Sequence, residues 1–238
     1  MPLRVASYNI RKCVGLDRKR APGRVIDVMN GLDADVIAVQ EADRRLGARP
    51  AALPRDVIAA DSDFEPAALA VNGVSLGWHG NALLLRKGMA LRDTARIDLP
   101  GLEPRGAVLA EIDSDDGPVR IVGLHLGLIR RYRLQQLAAV RAALARRDEM
   151  PTIILGDFNE WTPDRGMEPL EGAFTVHSPG MSFHAARPVA GLDRVALCNR
   201  VALRDAGVVE TPVSSVASDH LPIWADLAIS ETPAPPSD

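Results

Sequence analysis

Thr152-Ile153-Ile154-Leu155-Gly156-Asp157-Phe158-Asn159 is the stretch on which the fold reading turns. Its first four residues form an apolar run of strand length that stops at a glycine and two polar groups. A strand with no polar alternation belongs in a sheet covered on both faces. If the backbone stays extended, Asp157 and Asn159 point the same way while Phe158 packs below. A carboxylate beside an amide suits a water nucleophile or the hydration shell of a hard metal. Taken alone, the same residues read equally as a turn after a strand, with Asx chemistry and a glycine.

The design recurs along the chain. Leu3 to Ile10 is a strand pattern ending in the polar Asn9, and Val36 to Val39 is an apolar run that stops at Gln40-Glu41. Val119 to Leu124 is followed by His125. Asn9, Glu41, His125 and Asp157 thus share one position, the C-terminal end of a strand, where α/β folds place their chemistry. Between the first two strands, Val25, Ile26, Val28, Met29 and Leu32 give residues 22–32 a helical apolar face, with Pro22 suited to a first turn. A second helix follows Arg131, and further strands are expected at Ala82 to Arg86, Ala107 to Ile112, Arg194 to Leu197 and Pro222 to Ile229. Asp116-Gly117 marks a hairpin between two of them. Strand, helix, strand indicates a layered α/β chain. The expectation is one domain over residues 1–230 and a disordered Pro-rich tail over 231–238.

A chain of 238 residues can bury a large core without staples, so any metal it uses is catalytic rather than architectural. The net charge of −3 does not ask for a nucleic-acid partner, although it does not exclude one. The basic runs Arg18-Lys19-Arg20, Arg130-Arg131 with Arg133, and Arg146-Arg147 read as solvated faces. Cys13 and Cys198 have neither zinc-site nor disulfide spacing. With no leader pattern and no apolar run long enough to span a bilayer, a cytoplasmic monomer is expected.

Ser218-Asp219-His220 is the most specific short feature. Neighbours on a strand face opposite ways, so Asp219 does not orient His220. The pair divides its work, Asp219 toward a metal and His220 toward a phosphate, which leaves Asp193 as the carboxylate partner of His220. A Ser-His-Asp hydrolase is disfavoured by the absence of a Gly-x-Ser-x-Gly elbow. Glu41, with Asn9 as a neutral oxygen donor, suits magnesium, which takes one or two carboxylates and keeps several waters. None of the five histidines has zinc-site spacing, and His79, His177 and His184 fall in Gly- or Pro-punctuated loops where solvated residues are expected. Oxygen donors therefore favour Mg2+ or Mn2+.

In order and spacing, Ser7-Tyr8-Asn9-Ile10, Val39-Gln40-Glu41, Gly80-Asn81-Ala82-Leu83, Arg105-Gly106-Ala107, Leu124-His125-Leu126, Gly156-Asp157-Phe158-Asn159, Leu192-Asp193-Arg194-Val195 and Ser218-Asp219-His220-Leu221-Pro222 resemble the endonuclease/exonuclease/phosphatase (DNase-I-like) superfamily. Within it, Gly-Asp-Phe-Asn followed by Glu160-Trp161 is similar to small stand-alone bacterial hydrolases. The resemblance implies a four-layer α/β/β/α sandwich of two packed mixed sheets flanked by helices. It implies that Glu41, Asn9 and Asp219 hold the metal, and that Asp157 and Asn159 position or activate water. His220, supported by Asp193, and His125 would contact the phosphoryl oxygens. Arg105 would be a second phosphate contact, with Asn81 lining the same pocket. Asp157 and His125 remain rival donors to the leaving oxygen.

The leading expectation is a phosphodiesterase acting on a small or lipid-derived phosphate ester. A DNA nuclease would use the same site, with different loops around it. The loops that would grip DNA show no evident basic or aromatic counterpart, and three Trp, two Tyr and four Phe are too few for a stacking track. A non-catalytic binding module is disfavoured because every expected position is filled. Trp78 and Trp161 read either as packing residues or as walls of a cleft.

Overall fold

Uninterrupted apolar strands need cover on both faces, and the chain supplies it by stacking two sheets between helices. The computed structural model describes residues 2–163 and 165–230, so the expected tail at 231–238 lies outside the described residues. In chain order the elements are β1 (Leu3–Asn9), α1 (Pro22–Asn30), β2 (Val36–Gln40), α2 (Arg55–Asp61), β3 (Phe64–Pro66), β4 (Ala82–Arg86), β5 (Leu91–Leu99) and β6 (Arg105–Ser114). They continue with β7 (Gly117–His125), α3 (Arg130–Leu144), β8 (Thr152–Asp157), β9 (Phe174–His177), β10 (Asp193–Cys198), β11 (Val201–Val208), α4 (Ser214–Ala217) and β12 (Ile223–Ile229).

One sheet has the order β11-β12-β1-β2-β4-β3 and the other β5-β6-β7-β8-β10-β9. β1 pairs with β2, and β7 with β8, in parallel; the remaining pairs are antiparallel. Each parallel pair is joined through a helix, β1–α1–β2 and β7–α3–β8, because a parallel connection must cross from one end of the sheet to the other.

The period of two along each strand sorts the side chains into layers. Val5, Val36, Ala38 and Leu83 of the first sheet meet Val108, Ile121, Ile153, Leu155 and Val195 of the second. The opposite faces carry Tyr8, Ile37 and Val39 beneath Ile26 and Met29 of α1, and Leu124 and Ile154 beneath Leu137 and Val140 of α3. The molecule is therefore the expected four-layer α/β/β/α sandwich. Full burial of Ile153 and Leu155 contributes roughly 1.5–3 kcal/mol each.

The same alternation positions the site. Counting by twos, forward from Val5, Ile121 and Ile153 and back from Val195, puts Asn9, His125, Asp157 and Asp193 on the inner faces, at the strand ends just beyond the central core. Register completes the arrangement, with His125 opposite Asp157 and Asp193 opposite Asp157 on the other side. Gly156 makes this crossing possible: its φ is +151°, and a Cβ there would run into the backbone carbonyl of Leu124. Gly156→Ala is expected to cost on the order of 3 kcal/mol, since backbone rather than a flexible side chain would have to move. Urea denaturation checks this, and an unchanged midpoint would contradict the packing described.

Candidate active site

Asp157 sits where the two sheets meet. Its Oδ2 accepts a hydrogen bond from Asn9 Nδ2 at 3.0 Å, across the seam from β1. His125 Nε2 lies 3.3 Å from the same oxygen, and His220 Nε2 lies 3.7 Å from it. His220 Nδ1 is 2.8 Å from Asp193 Oδ2, which also accepts from Ser182 Oγ at 2.6 Å. The expected Asp193–His220 partnership is therefore present. Ser182 fixes the carboxylate and Phe183 pairs with His220, its ring 4.9 Å from the imidazole.

These groups are buried, so their protonation follows the local field. Burial raises Asp157 to about 6, against the lowering effect of His220. Burial alone would lower His220, but the Asp193 and Asp157 carboxylates outweigh it and raise the imidazole to about 10. His125 goes the other way: burial, reinforced by Arg105 and His220, pushes it well below the usual histidine value. Two imidazoles beside one carboxylate thus take different states near neutral pH, one cationic and one neutral.

The extended backbone expected through Asn159 is not what forms. Asn159 has φ +51°, and its N–H donates to Asp157 Oδ1 at 2.9 Å in an Asx turn. Its Nδ2 donates to the Leu126 carbonyl at 2.8 Å, tying the end of β8 to the end of β7. The turn reading describes this segment better, because a short polar side chain satisfies the backbone as the strand ends. Beyond it, Glu160 and Arg133 form a buried pair at 2.6 Å. The Arg194 guanidinium donates to the carbonyls of Glu160, Thr162 and Pro163. Arg133, expected on a solvated face, is thus a clamp for the loop that follows Asp157.

Glu41 reaches the site by breaking the alternation. Its φ is +54°, a left-handed conformation that redirects the chain after β2. Arg11, Lys12 and Cys13 have φ of 46°, 57° and 59°. This tight turn after β1 brings Arg11 Nε within 3.3 Å of Asp219 and the Lys12 ammonium onto Glu41. Ser218 Oγ donates to the Asn9 carbonyl at 2.6 Å, anchoring the Asp219–His220 segment to β1.

Glu41 and Asp219 offer carboxylate oxygens, each facing a cationic side chain, and Asn9 Oδ1 accepts from the Arg11 N–H at 3.1 Å. As oxygen donors these residues could hold a divalent cation of the magnesium type. Asp157, Asp193 and His220 also have ligand atoms within 4.8 Å of one another. There, however, Asp193 Oδ2 is engaged by His220 and Ser182, and both imidazoles turn toward Asp157. That group suits proton handling better than coordination.

A cavity of about 170 Å³ opens beside His125, walled by Glu41, Arg105, Lys12, Arg49 and His79 among others. Arg105 is buried and pairs with Glu103 at 2.8 Å. Asn81 is fully buried and is not part of this wall; its Nδ2 donates to the Gly106 carbonyl at 2.8 Å and braces β6. His79, expected to be solvated, is a half-buried wall residue. Its neighbour Gly80-Asn81, within a motif already singled out, was the signal for it. Lys12, Arg44, Arg45 and Arg49 had no such signal, and they supply the basic loop that the sequence does not make evident. Trp78 is half-buried against the inter-sheet core, whereas Trp161 is 60% exposed and edge-on to Phe183.

Comparison with known proteins matches residues 6–220 to the model of the endonuclease/exonuclease/phosphatase family. The uncharacterized protein YbhP of Escherichia coli K12 is 28% identical over 161 residues, a match spanning 63% of each chain. A solved endonuclease/exonuclease/phosphatase family protein of Bacteroides thetaiotaomicron superposes with a TM-score of 0.79 at 17% identity, covering 98% of this chain and 99% of that one. The mannosyl-6-phosphatase Bt3783 of the same organism gives 0.76 at 17% identity, over 95% and 100%. Among the described residues no helix is long and apolar enough to cross a membrane.

Nitrogen-15 NMR of the imidazoles tests the electrostatics directly. His220 is expected to stay protonated until pH approaches about 10, and His125 to stay neutral through the usual histidine range. Asp193→Asn should lower the His220 midpoint while leaving His125 neutral. Two ordinary histidine titrations would contradict the arrangement.

Proposed function

This chain belongs to the endonuclease/exonuclease/phosphatase family, whose members hydrolyse phosphoester bonds, and on that premise we propose that it is a metal-dependent phosphodiesterase acting on a small or lipid-derived phosphate ester. The observation that carries the reading is Asp157 Oδ2, hydrogen-bonded to Asn9 and flanked by His125 and His220 beside the cavity of Arg105. Ionised above about 6, Asp157 accepts a proton from a water, with Asn9 holding the carboxylate in place. His220, cationic and oriented by Asp193, donates to a phosphoryl oxygen, and Arg105 provides a second donor. Asp157 and His125, 3.3 Å apart, are the two rival groups placed to return a proton to the leaving oxygen. Asn159 acts at one remove, as the brace that fixes Asp157.

Glu41, Asn9 and Asp219 would hold Mg2+ or Mn2+, which supplies Lewis-acid charge to a phosphoryl oxygen when bound. A DNA nuclease is the second reading, favoured by the arginines of the 41–50 loop; steeply salt-dependent duplex binding would support it. Small esters are preferred because those cations gather at one cavity in a chain of net charge −3.

Hydrolysis of bis-p-nitrophenyl phosphate against the monoester, with Mg2+, Mn2+ or EDTA, tests the reading. Diester cleavage is expected to depend on the metal, to fall about a thousandfold or more in Asp157→Ala, and to decline as pH drops below about 6. Monoester preference would move the assignment toward a phosphatase. Activity that survives both EDTA and the substitution would mean the site is misassigned.

A further inference from the structure

The wall of the cavity facing His125 carries more positive charge than one phosphate needs. Lys12, Arg44, Arg45, Arg49 and Arg105 line it, against Glu41, Asp43 and Glu103. The three carboxylates already have partners, and for two of them these are cations of this same wall. Asp43 spends both oxygens on the backbone N–H groups of Leu76 and Gly77. Glu103 pairs with Arg105, and Glu41 pairs with Lys12 and lies 3.9 Å from Arg45. Among the described residues neither Arg44 nor Arg49 forms an ion pair with a carboxylate, although the Arg49 charge acts on Asp43 against the burial that raises it. Arg49 Nη1 instead donates to His79 Nδ1 at 2.7 Å, so this imidazole holds the guanidinium without cancelling its charge.

The backbone is bent to build this wall. Lys12, Glu41, Arg49 and His79 all have positive φ, between 49° and 57°. A non-glycine residue in that region is costly, and four around one cavity mark a shape held for its contents. Arginine forks arranged about a concavity match a dianion with several acceptor oxygens.

We propose that this wall is a second anion subsite and that the substrate is a small ester bearing a second phosphate group. The reacting phosphorus lies at His125 and Arg105, and the other phosphate rests on Arg49 and Arg44, with His79 bracing Arg49. A single concave cluster favours one discrete group over a polynucleotide, which needs a row of phosphate contacts. The proposal rests on the phosphoesterase reading, and the test separates the two.

Calorimetric titration of the metal-free protein with alkanediol bisphosphates of increasing chain length, against the matching monophosphates, measures the subsite without turnover. At the chain length that spans the cavity the bisphosphate should bind about tenfold to a hundredfold tighter, as expected for charge-assisted bonds to a second phosphate. Arg49→Ala should erase that margin, and Arg49→Lys should restore part of it. Equal affinity for bisphosphate and monophosphate at every length, or a margin that survives Arg49→Ala, would overturn the subsite even if the simple diester is hydrolysed. A margin lost in Arg49→Ala with no hydrolysis of either the diester or the monoester would uphold the subsite and overturn the hydrolase reading.

Discussion

The structure depends on keeping one carboxylate out of water at the seam between two sheets. Asp157 is buried, and removal from solvent is the largest influence on it, raising its pKa to about 6. Because the folded value lies above the ordinary one of 3.8, the folded chain binds more protons than the unfolded chain between these values. Stability therefore falls as pH rises through that window, by roughly a few kcal/mol. Its neighbours limit that cost. Asn9 donates from the facing sheet, and His220 brings a positive charge that Asp193 and Ser182 hold in place. The core beneath these polar groups must then be tight enough to carry them, which the two six-stranded sheets provide.

A second constraint is geometric. Period-two alternation brings Asn9, His125, Asp157 and Asp193 to one level, but Glu41, Lys12, His79 and Arg49 do not follow it. Left-handed residues bring those four to the same cavity. Regular structure thus supplies the groups that move protons, and irregular turns supply charge around them. The strain in those turns is local, and the braces across the loops are numerous: Arg133 on Glu160, Arg194 on three carbonyls, and Ser218 on Asn9.

What was legible in the sequence follows from the same division. The central strands could be read because both faces are buried and their residues are uniformly apolar. Leu91–Leu99 could not, because this edge strand exposes Arg92 and Asp93 and carries no apolar run. Phe64–Pro66, Phe174–His177 and Val201–Val208 also border their sheets and were missed for the same reason. Asp193 could be paired with His220 because adjacent residues in extended chain face apart, although Ser218–His220 lies between α4 and β12 rather than on a strand. Ser182 and the arginine wall could not be found, since they meet the site only through loop conformation. The turn at Asn159 was one of two readings of Gly-Asp-Phe-Asn, and only the fold decides between them.

The most direct measurement is the carbon-13 titration of the Asp157 carboxyl in the metal-free protein, assigned by its loss in Asp157→Asn. A midpoint near 6 would show a desolvated carboxylate poised to exchange a proton with water near neutral pH. An ordinary midpoint close to 3.8 would show a solvated acid, and the burial on which this account rests would be wrong.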